Sequence, residues 1–286
     1  MSITIHSAQV VGLDANIIAV EMDITPGLHI FTIVGLADKE VQESRERITA
    51  AIQNLGALAP HKKSQRVIVN LAPADIKKER PAFDLPIALG CLLASGQIMF
   101  DPKHTVFLGE LGLDGGVRKV SGILASVLAA RDAGFRRIIL PKGNGLEASL
   151  VRDIAIYEVS SLQETVEFLA GQKMLDRFPE YSHAQTELPD MGMDYRHIKG
   201  QEKAKRALEI TAAGNHNALM VGPPGGGKTL LARALPSILP PLSFEESLEV
   251  TKIYSISGKL SDDTPLVRER PFRNPHHTAS YTAVIG

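Results

Sequence analysis

The chain has 286 residues, of which 44% are hydrophobic and 22% charged, as in a folded globular protein of one large or two ordinary domains. Its formal net charge is −1, with 17 Lys/Arg against 19 Asp/Glu in residues 1–170 and 14 against 13 in residues 171–286. Neither half has the basic excess that marks most nucleic-acid binders, although a local stripe stays open. The single cysteine, Cys91, excludes an intrachain disulfide and suits a reducing compartment. There is no basic-then-apolar leader and no run of about 18 apolar residues, so a cytoplasmic protein that does not span a membrane is expected.

In chain order, Ile17–Ile24 and His29–Val34 read as strands parted by a Pro26-Gly27 turn. Asp38–Leu55 reads as a helix, with Val41, Ile48, Ile52 and Leu55 on one face and Gly56 as a left-handed cap. Arg66–Leu71 is a further strand. Phe83–Ala94 reads as a mostly apolar helix that tolerates Pro86 only in its first turn. Cys91 falls in this stretch and reads as an inert core thiol. Val106–Leu111 and Val117 flank Asp114-Gly115-Gly116 as a hairpin; this glycine-rich stretch lacks the lysine and following helix of a phosphate loop. Ser121–Ala133 reads as a helix ended by Gly134, Arg137–Leu140 and Ile154–Val159 as strands, and Ser161-Leu162-Gln163-Glu164 as a capping box opening a last helix. Mixed α and β order predicts an α/β domain over residues 1–170. Residues 171–194, polar and broken at Pro179 and Pro189, read as an interdomain linker.

The segment 195–286 carries the most specific pattern. Gln201–Ile210 reads as a helix and Asn217–Val221 as a short buried strand. Next come Gly222-Pro223-Pro224-Gly225-Gly226-Gly227-Lys228-Thr229, then helix-forming Leu230–Leu235. The octapeptide fits G-x-x-x-x-G-K-[ST] without mismatch. Glycines let successive backbone N–H groups curl around phosphate oxygens, Lys228 would reach the β- and γ-phosphates, and the Thr229 hydroxyl would ligate Mg²⁺. The expected ligand is therefore ATP with Mg²⁺. Two other clusters are weaker. His276 and His277 are adjacent on an extended segment, so their side chains diverge, and no third metal ligand is near in sequence. Arg268, Arg270 and Arg273 are candidates for phosphate contacts or simply a solvated loop.

The second region resembles the magnesium-chelatase-like AAA+ ATPases. The resemblance rests on Ile198-Lys199-Gly200-Gln201, Ala204–Glu209, Gly222–Thr229, Leu239-Pro240-Pro241-Leu242 and Arg270–Ser280. The first region resembles the N-terminal domain of the ComM/YifB-like branch, through Val34-Gly35-Leu36-Ala37-Asp38 and Phe83–Gly90. This implies an α/β fold in two parts: a Lon-protease-like, ribosomal-S5-like domain, then a partial P-loop AAA+ domain. It also implies a hexameric, ATP-driven motor that acts on branched or single-stranded DNA during natural transformation.

Lon-type proteases use a serine activated by a lysine. By resemblance the serine slot holds Ala82 and the lysine slot Leu124, neither of which can attack a carbonyl or take a proton, so the first domain is expected to be proteolytically inactive. No apolar run ending in Asp-Glu follows Thr229, and residues 195–286 are fewer than the roughly 200 of a whole AAA+ module. The chain is thus expected to be truncated before the Walker B pair, sensors and arginine finger, and to bind ATP without efficient turnover. Alternatives are a non-enzymatic interaction module and a metal-chelatase subunit.

Overall fold

Nine residues absent from the strand assignments above, Ile3–Val11, form the strand (β1) around which the larger part of the molecule is built. His6, Ser7 and Gln9 interrupt its apolar alternation, yet Ser7 and Gln9 are buried. β1 pairs antiparallel along its full length with β2 (Asp14–Pro26) and parallel, at His6–Val106, with β5 (Thr105–Phe107). The computed structural model describes residues 2–28, 30–59, 64–78, 81–181, 193–261, 263–275 and 278. They divide into two units. One comprises Met1–His183 with Thr251–Leu266, the other Ala184–Val250 with Val267–Gly286.

The first unit contains a seven-stranded sheet of order β3-β4-β2-β1-β5-β8-β9. The remaining strands are β3 (Ile30–Val34), β4 (Gln65–Ala72), β8 (Arg137–Pro141) and β9 (Ala155–Val159). Four of the six pairings are parallel, and only β1·β2 and β2·β4 are antiparallel. The expected Val106–Leu111 strand splits. Thr105–Phe107 joins the large sheet, whereas β6 (Glu110–Leu111) forms a small hairpin with β7 (Val117–Arg118). Gly109 makes the break possible, because a Cβ there would meet Val117 Cγ1 at 2.7 Å and Leu85 at 3.4 Å.

Helix α1 (Lys39–Asn54) begins at Asp38, whose Oδ1 accepts the Val41 N–H at 2.9 Å. Its buried face is Val41, Ser44, Ile48, Ala51 and Ile52, and Gly56 (φ +77) turns the chain away at its end. Helix α2 (Asp84–Ala94) is buried through its first nine residues, and burial pushes the Cys91 thiol up to about 12. Helices α3 (Ile123–Asp132), α4 (Gly145–Ala148) and α5 (Leu162–Leu169) follow. At α5 the Ser161 hydroxyl accepts the Glu164 N–H. The Glu164 carboxylate reaches the Ser160 N–H (2.7 Å), one residue upstream of the partner a strict capping box would use. Residues 171–181, expected as linker, hydrogen-bond to this unit: Phe178 N donates to Ile156 O and Tyr181 N to Ser149 O. No helix among the described residues is long and apolar enough to cross a membrane.

One ion pair clasps α1 to α2. The fully buried Asp84 carboxylate accepts Arg47 Nε at 2.7 Å, Arg47 Nη2 at 3.2 Å and the Leu111 N–H at 3.1 Å. Burial raises the Asp84 pKa against the opposing pull of Arg47, Ser44 and Leu111. Removing one partner of such a pair leaves an uncompensated charge, which costs more than the intact pair contributes. Arg47→Met is therefore expected to destabilise the first unit by about 3 kcal/mol in urea unfolding. A loss below about 1 kcal/mol would mean that the clasp is not needed.

Candidate functional site

The second unit has a small core of Tyr195, Ile198, Leu208, Leu231 and Ala234. The Tyr195 hydroxyl donates to Lys205 O at 2.7 Å, and its N–H donates to Ser237 Oγ at 2.9 Å. These contacts join the turn at Tyr195–His197 to helix α6 (Glu202–Gly214) and to the 3₁₀ turn Leu235–Ile238 after helix α7 (Lys228–Ala234). Here α6 and α7 support the candidate loop, Gly222–Thr229.

Gly225 and Gly227 both have left-handed backbone, φ +79 and +81. A Cβ on Gly222, Gly225 or Gly227 would meet nothing within 4 Å, so the glycines face open space. Lys228 curls back so that its Nζ donates to Gly222 O and Pro223 O, both at 2.7 Å. Thr229 is exposed in the first turn of α7. The Gln201 amide donates to Gly226 O at 3.2 Å. A cavity of about 390 Å³ lies against the loop, lined by Gln201, Ala204, Leu208, Met220, Lys228 and Leu231 among others. These donors fit a Mg²⁺-bound phosphate chain: open glycine backbone, an ammonium group held at the loop, and a hydroxyl one residue on.

The buried strand expected at Asn217–Val221 does not form. The segment carries no strand pairing, and Leu219 and Val221 are 89% and 88% exposed. A strand persists only when a neighbour takes its N–H and C=O groups. Among the described residues the second unit has no strand to do so.

Arg270 is engaged locally, its Nε donating to Pro240 O at 2.7 Å with Glu246 at 3.6 Å. His276 and His277 lie outside the described residues. The described residues contain no cluster of three or more His, Cys, Asp or Glu able to hold a metal.

In the first unit, Ala82 sits in the 3₁₀ turn Pro81–Phe83, and its carbonyl accepts the Gly109 N–H at 3.1 Å. Leu124 is fully buried near the start of α3. Its N–H donates to Glu147 Oε1 at 2.7 Å, supplying the cap that Gly122, at the helix N-cap, cannot. Ser255, in helix α8 (Phe244–Ile256), donates its hydroxyl to the same oxygen, and the neighbouring Lys252 pairs with Asp14 at 2.7 Å. Glu147 carries no mark in the sequence, and Gln201 appears there only within a helix and the resemblance. Each acts through a partner far along the chain, and no spacing rule records that.

A family profile described as "Subunit ChlI of Mg-chelatase" matches residues 20–144, and one described as "Magnesium chelatase, subunit ChlI" matches residues 194–286. The chain belongs to the magnesium-chelatase ChlI-like family. The YifB protein of Escherichia coli is 42% identical over 288 residues, covering 100% of this chain and 55% of that protein. An uncharacterized Mycobacterium tuberculosis protein is 42% identical over 281 residues, covering 98% and 55%. The Haemophilus influenzae competence protein ComM is 40% identical over 288 residues, covering 99% and 55%. This ChlI-like chain spans about half the length of the curated relatives it matches.

Burial raises the Glu147 pKa above its ordinary 4.5, and the Ser255 and Leu124 hydrogen bonds only partly offset it. The native state therefore holds this proton more tightly than the unfolded chain. The stability it contributes is present below 4.5 and is lost as pH rises through the raised native value. Glu147→Gln keeps the acceptor and removes the titration. The parent's Tm should fall relative to the variant's across that rise; parallel Tm curves would contradict the assignment.

Proposed function

We propose that the chain is an ATP-binding AAA+ protein resembling ComM, with its nucleotide site at Gly222–Thr229. The supporting observation is the loop itself: glycines in left-handed backbone, open on their free side, with the Lys228 ammonium held at the loop's edge. The N–H groups of Gly225, Gly226 and Gly227 would donate to phosphate oxygens of ATP. The Lys228 ammonium, which donates to the Gly222 and Pro223 carbonyls in this structure, would hold the β- and γ-phosphates, and the Thr229 hydroxyl would serve Mg²⁺. The metal would neutralise charge on the phosphates.

In this reading residues 1–170, to which 171–181 are hydrogen-bonded, are an inactive Lon-protease-like, ribosomal-S5-like domain, and 195–286 are the start of the AAA+ domain. One relative's name, a competence protein, supports a role on DNA. The longer proteins would then act as hexameric motors on branched or single-stranded DNA. A second reading is a nucleotide-binding interaction module without turnover.

Mg²⁺·ATP binding and turnover, each with and without forked DNA, test both readings against Lys228→Ala. The expected result is binding weakened at least about tenfold in the variant, since charge-assisted hydrogen bonds are lost, and negligible turnover by the parent. DNA-stimulated turnover that vanishes in the variant would make this chain itself a motor. Equal binding by parent and variant would contradict the site.

A further inference from the structure

The Gln201 side chain, 25 residues before Gly226, donates a hydrogen bond to the loop from outside it. Its own backbone is left-handed (φ +57, ψ +38), directly after Gly200 (φ +73). A non-glycine residue adopts that conformation at a cost and keeps it only where the surroundings demand it. The two left-handed residues swing the chain into α6 and bring the Gln201 amide to Gly226 O at 3.2 Å.

The peptide joining Gly226 to Gly227 is planar and trans, so its C=O and N–H point to opposite sides. Holding Gly226 O toward α6 therefore turns the Gly227 N–H away from it. Without that hold the peptide lies between two glycines, where rotation about φ and ψ is least hindered. Other loop carbonyls are held differently. Gly222 O and Pro223 O accept Lys228, Pro223 O also takes the Gly226 N–H, and Gly227 O accepts the Leu231 N–H within α7.

We propose that Gln201 is a positioning residue for the phosphate loop: its amide fixes the Gly226–Gly227 peptide so that the Gly227 N–H is presented to phosphate before the ligand arrives. This rests on the nucleotide-site reading above and adds a residue outside the loop motif. The amide acts only through the loop and touches no ligand. Its loss should weaken binding of the phosphate chain without weakening the fold.

Gln201→Gly separates the two effects, because glycine keeps the left-handed backbone at no cost and removes only the amide. The probe is Mg²⁺·tripolyphosphate, which carries the phosphates without the base. Its affinity would be measured by calorimetry for the parent, Gln201→Gly and Lys228→Ala, beside each protein's ligand-free Tm. The expected result is parent binding, little or none in Lys228→Ala, and a roughly fivefold to tenfold loss in Gln201→Gly, as for one hydrogen bond. The ligand-free Tm of Gln201→Gly should match or exceed the parent's. Parent-like affinity in Gln201→Gly, or a loss accompanied by a lower Tm, would overturn the positioning role and leave the loop assignment standing. Equal binding by parent and Lys228→Ala, or no binding by the parent, would overturn the loop assignment and this inference with it.

Discussion

A loop can gather several backbone N–H groups onto one anion only if its backbone turns through angles that side chains resist. Gly225 and Gly227 supply those angles, and the second unit is arranged around them. Helix α7 begins directly after the second of these glycines, while Lys228 folds back on the loop's opening residues. Gln201, itself in a costly conformation, braces the loop from α6. Tyr195 joins α6 to the turn that follows α7, so the brace and the braced element share a core. On the proposed reading, the strain at Gln201 and the open faces of the glycines belong to one arrangement, in which backbone is ordered in advance of a phosphate ligand.

The first unit is stabilised differently. Its sheet packs β1 and β2 against α2 and α3, and two carboxylates, one buried and one half-buried, organise contacts between helices. Asp84 ties α1 to α2, while Glu147 caps α3 and accepts Ser255. At the positions that resemble the Lon serine and lysine slots stand a small apolar side chain in a turn and a leucine sealed in the core. Around Leu124 the polar chemistry is capping and packing. That fits a scaffold better than a nucleophile, which would need exposure and a base within reach.

Local rules carried part of this structure. The Asp38 and Gly56 ends of α1, its buried Val41–Ile48–Ile52 face and the α5 cap at Ser161 could be read from spacing and cap chemistry alone. The sheet order could not, because β1 pairs with β5 across a separation that no short pattern encodes. β1 is hard to see in sequence because buried polar residues, Ser7 and Gln9, break its apolar alternation. Val106–Leu111 was read as one strand because the steric demand at Gly109 comes from Leu85 and Val117. Asn217–Val221 has the composition of a buried strand, but composition cannot supply a pairing partner. The candidate phosphate loop can be proposed from sequence because its residues are contiguous. Gln201 reads in sequence only as part of a helix and a resemblance, and its hydrogen bond to Gly226 O appears only once the fold brings the two together.

Hydrogen exchange of the Gly222–Thr229 backbone, with and without Mg²⁺·ATP, tests the central claim most directly. The account predicts that saturating Mg²⁺·ATP slows exchange in the peptide covering this loop, that β2 is unaffected, and that Lys228→Ala abolishes the effect. Unchanged exchange in the loop, or slowing that survives in Lys228→Ala, would contradict it.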